Sequence, residues 1–340
     1  MDEKYIVLRV PKNLHEFDTQ YQRNVAQILQ EGESRTDRTG VNTVSVFGDI
    51  SHKVDLRVGF PATSLKRFAF TANKVETMDW MLQGKFDLKT LKDKGVRIWD
   101  QNVKPGTEVY DDSGALIGGD LGPIYGKQWR SWEDIRIIPA SEVYSPDAFK
   151  KYGARGFENV GIENSCDIVI RREIDQVADL EKAMATRSDS RRIILTGWNV
   201  AQLDEMSLPP CHTLAQWYIS QTKDENGLQY LDCKMYQRSA DVLLGVPFNI
   251  AQYALITEML AHVHGLRPRF LYHTVGDAHL YQNHIDKGFV EEVLSRQVVH
   301  AAPKLRIEGT YNSILDIGVE NVFLDGYDSY EAQKNVPIAK

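Results

Sequence analysis

The order of patterned segments predicts an α+β fold with one large twisted mixed β-sheet and surrounding helices. Three observations carry that expectation. Strand-like runs dominate the second half of the chain, at 192–198, 213–220, 228–235 and 270–274. One further run, Asn249 to His264, is apolar on nearly every face, as a helix buried in the core must be. No Gly-x-Gly-x-x-Gly or Walker-type loop joins a strand to a helix, so a doubly wound nucleotide fold is not indicated.

The elements follow in order. Asn13 to Glu31 reads as a helix, with Asn13 and Glu16 as a capping box, Tyr21, Val25, Ile28 and Leu29 on one face, and Gly32 as its stop. A polar turn, Arg35 to Gly40, precedes an alternating strand at Thr43 to Phe47. A second helix is expected over Asn73 to Leu82, ending at Gly84. Residues 103–119 are rich in Gly, Asp and Pro and read as a loop. From Trp132 to Ile174, Pro139, Pro146, Gly153, Gly156 and Gly161 break the pattern, which suggests an insertion or small lobe. Asp175 to Thr186 is a helix with Val177, Leu180 and Met184 inward. A hairpin turns at Thr222 to Gly227, Gly265 caps the apolar helix, and Leu305 to Ile307 forms a late strand.

Composition narrows the function. The 340 residues carry 40 Lys+Arg against 47 Asp+Glu, a net charge of −7, which argues against bulk nucleic-acid or anionic-membrane binding. A small anion in one basic pocket stays open. No apolar run approaches the ~20 residues of a membrane span, and the acidic start Met1-Asp2-Glu3 is unlike a secretory leader. Cys166, Cys211 and Cys233 form no pairing framework, which fits a reducing cytoplasm. No His/Cys ligand spacing points to a metal, and Gly-x-Ser-x-Gly is missing.

The chemistry concentrates in a few motifs. Pro209-Pro210 stiffens the backbone just before Cys211-His212, so a thiol is held rigidly at the start of a strand, as a nucleophile requires; a buried structural cysteine is the alternative. Tyr236-Gln237-Arg238-Ser239-Ala240-Asp241 offers a guanidinium and a hydroxyl for an anion, and an arginine beside Cys211 would favour its thiolate. Ser190-Arg191-Arg192 is a second cationic cluster, or a solvated strand end. Asn249 opens the apolar helix either as an N-cap or as a reader of a base edge with one N–H and one C=O, as in uracil; Asp there would suit the cytosine edge. His279 and Tyr281 share one side of an extended segment and could bind a sugar hydroxyl.

In order and wording these motifs closely resemble the thymidylate synthase family. The matching stretches are Asp37 to Gly40, Ile98-Trp99-Asp100, Asp120 to Arg130, Ser190 to Arg192, Leu208 to His212, Tyr236 to Asp241, Gly245 to Ile250 and Gly276 to Tyr281. The resemblance runs from about Tyr21 to the C-terminus. It implies a single catalytic domain over residues 1–340, with insertions near 103–119 and 132–175 and an extension at 1–17. It implies a homodimer joined through one sheet face, and a one-carbon transfer from 5,10-methylenetetrahydrofolate to C5 of dUMP. Under it, Cys211 is the nucleophile, and Tyr125 and His212 belong to the surrounding network. Arg38, Arg238 and Ser239 hold the phosphate, joined by Arg191 and Arg192 of the partner subunit. Asn249 reads uracil, and His279 and Tyr281 bind the 3′-hydroxyl. Asp241, Trp99, Leu244, Ile98, Phe248 and the C-terminal tail form the folate site, with no metal.

Two features depart from the family pattern. The family places a catalytic Glu three residues before a Trp; here Glu76 lies four before Trp80. Counting forward from Lys66 selects Glu76, and counting back from Trp80 selects Thr77. A one-residue insertion reconciles them in favour of Glu76, with Asp79 as an outside candidate. The chain also ends in Lys340 rather than an apolar residue. The resemblance therefore also admits a dUMP 5-hydroxymethylase, a type found in some bacteriophages, in which water replaces hydride in the last step. A non-catalytic nucleotide-binding relative is a third, weaker reading.

Overall fold

The computed structural model describes residues 15–36, 40–145, 147–164, 167–186 and 189–337. A helix, Glu16–Glu31, buries Phe17, Tyr21, Val25 and Ile28 on one side. Its N-cap is His15, whose ring bonds to Ala62 O at 2.8 Å, while the expected cap Asn13 lies outside the described residues. Gly32 closes it through a bond to Ile28 O, where any Cβ would sit 2.3 Å from that same oxygen. Strands β1 (Glu33–Arg35), β2 (Thr43–Phe47) and β3 (Ser51–Asp55) follow.

The second helix differs from the expectation in a telling way. It starts earlier, at Phe70, and after Lys74 it becomes a π-helix over Val75–Met81. Leu82 N–H bonds to Thr77 O and Lys85 N–H to Trp80 O, both five residues back. A π-turn holds one more residue than the α path between the same ends. That is how Glu76 and Trp80 both stay buried despite the extra residue between them.

The expected loop at 103–119 contains a short hairpin, β4 (Val109–Tyr110) with β5 (Leu116–Gly118). The Asp111 carboxylate accepts the N–H groups of Ser113 and Ala115 and so makes its turn. Residues 132–174 fold into a three-stranded sheet of β6 (Trp132–Pro139), β7 (Glu158–Asn164) and β8 (Asp167–Ile174), in the order β6-β8-β7. This lobe has a small core of its own, Ile138, Tyr152, Phe157, Ile168 and Ile170. Its short apolar runs hid the strands from a reading of periodicity. The helix Gln176–Thr186 follows, capped by Asp175 and buried through Val177, Leu180 and Met184 as expected.

The central sheet takes its remaining strands from the second half: β9 (Ile194–Thr196), β10 (His212–Lys223), β11 (Gln229–Asp241) and β12 (Arg267–Tyr281). Its order is β1-β2-β12-β11-β10-β9, with β3 also on β12. It is mixed, because β11 and β12 run parallel while the other pairs are antiparallel. A parallel pair needs a crossover, and the helix Gly245–His264 supplies it. That helix begins four residues before the expected Asn249, because Pro247 sits in its first turn, where no N–H partner is needed. Asn249 is therefore not its N-cap. Gly265 closes it at φ 63°. Ala215, Trp217 and Ile219 of β10 and Leu231, Cys233 and Met235 of β11 join this helix in the core. Strands β13 (Lys304–Ile307) and β14 (Val322–Asp325) form a separate hairpin. No described helix is long and apolar enough to cross a membrane.

Candidate active site

The thiol-bearing segment is tied down from both sides. Cys211 N–H donates to Tyr125 Oη at 2.8 Å, and Cys211 C=O accepts from Arg238 N–H at 2.8 Å. The Arg238 guanidinium turns back on the same loop, donating through Nε to Pro210 O (2.9 Å) and through Nη2 to Pro209 O (2.7 Å), and it lies over the Trp198 ring. Arginine and cysteine are thus neighbours, as their motifs suggested. Cys211 is half-buried, whereas Cys233 is fully buried and burial pushes its thiol up to about 12, so Cys233 stays an inert core residue. Cys166 lies outside the described residues.

Tyr125 opens the short helix Gly126–Arg130. A Cβ on Gly126 would lie 2.4 Å from Lys85 O, so only glycine lets this turn press against the segment after the π-helix. The Tyr125 ring stacks on His212 at 4.3 Å, and His212 Nδ1 bonds to Tyr253 Oη at 2.9 Å. Burial lowers the His212 imidazole to about 3, so the ring is neutral at pH 7.

Glu76 is the carboxyl that reaches this cluster. Its Oε1 accepts from Trp99 Nε1 at 2.7 Å and its Oε2 from Gln252 Nε2 at 2.6 Å. Burial raises it to about 7, against a smaller lowering by the Trp99 bond. Thr77 instead turns its hydroxyl to Asn73 O inside its own helix, and Asp79 pairs with Lys94 at the surface. Asn249 donates to Gln252 Oε1 (3.3 Å) and accepts at Oδ1 from Gln237 Nε2 (3.0 Å). Glu76, Gln252, Asn249 and Gln237 therefore form one connected row.

The β11–β12 register sets the polar flank. Ser239 lies beside Asp277, and Asp241 beside His279. His279 Nδ1 bonds to Asp277 Oδ1 at 2.9 Å, and its ring meets Tyr281 edge-on at 5.1 Å. Asp277 is held below the usual carboxylate range mainly by that bond. Asp241 Oδ1 accepts the N–H groups of Leu243 and Leu244. Phe248 packs on Phe68, and Trp99 lies between Trp80 and Tyr125. Ile98 is partly exposed beside Trp99.

Arg191 and Arg192 do not join this group; both are exposed just before β9. Arg38 and Lys340 lie outside the described residues. Gln237, Gln252, Tyr253 and Asp277 were missed as site residues. A signal existed for Gln252 and Tyr253: they stand three and four residues after Asn249 in a helix otherwise almost wholly apolar, and buried polar groups need partners.

Two comparisons bear on this arrangement. The family model described as thymidylate synthase matches residues 19–339. A thymidylate synthase of Ascaris suum is 40% identical over 320 residues, covering 93% of this chain and 95% of that protein.

Proposed function

The chain belongs to the thymidylate synthase family, and from that premise we propose that it methylates C5 of dUMP with the one-carbon unit of 5,10-methylenetetrahydrofolate, giving dTMP and dihydrofolate. The hydroxymethylase alternative is not favoured, because the curated relative that covers nearly the whole chain is a synthase. The observation that carries the reading is the joint placement of a tethered thiol, Cys211, with a buried carboxyl, Glu76, and a locked amide, Asn249.

In this reading each group has a task set by its surroundings. C5 of uracil is a weak nucleophile. Addition of the Cys211 thiolate at C6 gives C5 enolate character, and donors near O4 stabilise that charge. Arg238, fixed against the Pro209 and Pro210 carbonyls, keeps further N–H groups for the phosphate, beside Ser239. Asn249 has an amide edge for N3–H and O4 of uracil, and His279, oriented by Asp277, suits the 3′-hydroxyl together with Tyr281. Glu76, poised near neutrality, is suited to manage protons around C5.

The folate, when bound, supplies the methylene group and then the hydride that reduces it. The residues fit its pterin: Trp99, Leu244 and Phe248 give apolar surface, with Ile98 at the edge, and Asp241 gives a carboxylate for ring N–H donors. The outward side of the sheet supports a homodimer. Leu214 and Tyr236 face each other on β10 and β11, and Ile194 and Tyr218 extend this exposed apolar surface. A partner docked there would bring its own Arg191 and Arg192 with it. We place the enzyme in the cytoplasm, a reading supported by three cysteines, Cys166, Cys211 and Cys233, whose number and spacing form no disulfide framework.

The test is to follow dihydrofolate formation from dUMP and methylenetetrahydrofolate with the wild type and with Cys211→Ser. Turnover by the first alone supports the proposal. Equal turnover by both, or none by either, would sink it.

A further inference from the structure

Behind the proposed base-reading residue runs a row of buried polar side chains that the reaction does not use. Asn24 of the first helix donates from Nδ2 to Ser51 O (3.0 Å) and to His52 Nε2 (2.9 Å). His52 and His273 stack at 5.2 Å and meet Nδ1 to Nδ1 at 3.1 Å. His273 Nε2 meets Gln237 Oε1 at 3.0 Å. Gln237 Nε2 donates to Ser239 O and to Asn249 Oδ1, each at 3.0 Å. The row continues through Gln252 to Glu76.

Every proton direction in this row is determined. Ser51 O and Ser239 O are backbone carbonyls and can only accept. The first fixes the NH2 end of Asn24 toward His52, so His52 Nε2 must be bare and Nδ1 must carry the proton. The second fixes the NH2 end of Gln237 away from His273, so His273 Nε2 must carry the proton and Nδ1 must be bare. The two arguments start from opposite ends and meet at the Nδ1–Nδ1 contact as one donor and one acceptor. Asn24, His52, His273, Gln237, Gln252 and Glu76 are all buried; Asn249 alone is half-open, where a ligand would touch it. Burial lowers His52 to about 3 and holds His273 well below its ordinary value, so both rings are neutral at pH 7.

We propose that His52 and His273 are positioning residues for base selection: their tautomers hold Gln237 in one orientation, and Gln237 holds the Asn249 amide in the orientation that accepts uracil and rejects cytosine. The inference rests on the dUMP reading above. A flipped Asn249 would present the amide edge that pairs with cytosine. Without the His273 N–H, Gln237 Oε1 becomes a buried acceptor with no donor. A full reversal would need Gln237, Asn249 and Gln252 to turn together, against the Ser239 carbonyl, so the loss instead loosens the Asn249 amide and weakens its discrimination by about tenfold.

Two measurements test this. In the wild type, 15N spectra of the histidines should show His52 protonated at Nδ1 and His273 at Nε2, both neutral from pH 6 to 8. The reverse tautomers, or an imidazolium at either position, would overturn the proposal, and this holds even if the variants do not fold. In His52→Phe, the ratio of kcat/KM for dUMP to that for dCMP should fall about tenfold. His52→Gln, whose amide can accept from Asn24 and donate to His273, should restore most of it. A folded His52→Phe with an unchanged ratio contradicts the proposal. A wild type that turns over no dUMP contradicts instead the functional reading, and leaves the tautomer result to stand alone.

Discussion

Cys211 differs from Cys233 by its surroundings alone. One thiol is half-open beside a guanidinium; the other is sealed in the core and its thiolate is suppressed. Cys211→Ser should lower turnover by at least ~10³-fold, the scale of losing an activated nucleophile, while equilibrium dialysis still detects bound dUMP. Asn249→Asp should cut kcat/KM for dUMP by about 10²-fold or more and raise that for dCMP, because a site built to hydrogen-bond one edge rejects another strongly. Unchanged dUMP turnover would remove Asn249 from base reading. Glu76 gives a pH prediction. Its folded value of about 7 lies above the ordinary glutamate value of 4.5, so the folded state binds the proton more tightly. Its stabilising contribution is full below about pH 4.5 and is lost as pH rises to about 7, by roughly 3 kcal/mol. Denaturant titrations should show that slope in the wild type and a flatter one in Glu76→Gln. If Glu76 acts as a base, kcat should rise through about pH 7, and that limb should vanish in Glu76→Gln.

At the scale of elements, the π-helix explains the spacing that departs from the family pattern. Deleting Thr77 should return Val75–Met81 to an α-helix with Glu three residues before Trp. Glu76 and Trp80 should keep their places, and kcat should stay within about tenfold of wild type, against the cost of one lost buried residue. Deleting Val75 should instead rotate Glu76 by ~100° away from Trp99 and reduce kcat by far more. Equal effects of both deletions would refute this account of the π-turn. Sequence patterning made the elements with strong periodicity legible: the strand Thr43–Phe47, the helix over Gln176–Thr186 and the central helix. It failed where tertiary packing chose the conformation. The π-turn has no periodicity signature, and the lobe strands 132–139, 158–164 and 167–174 are partly polar and lie among Pro and Gly residues. The motifs singled out Cys211, Arg238, Asn249 and His279 as candidates, but the residues that orient Asn249 and His279, namely Gln237, Gln252 and Asp277, become visible only through their hydrogen bonds.

For the whole molecule, the net charge of −7 is a whole-surface average and leaves room for the single anion site proposed at Arg238. The exposed face with Leu214, Tyr218 and Tyr236 leads to the proposed dimer. Leu214→Glu with Tyr218→Glu should shift sedimentation from dimer to monomer and abolish turnover together. If Arg191 serves the partner's site, then mixing inactive Arg191→Ala with inactive Cys211→Ser should regenerate activity, since one site of the mixed dimer is intact. Continued inactivity of a demonstrated mixed dimer would refute that sharing. The central claim is that the protein makes a methyl group at C5 of dUMP. Mass spectrometry of the nucleotide after incubation with dUMP and methylenetetrahydrofolate reads it directly. The account predicts a gain of one methylene unit over dUMP; a gain of a hydroxymethyl group, or unchanged dUMP, would contradict it.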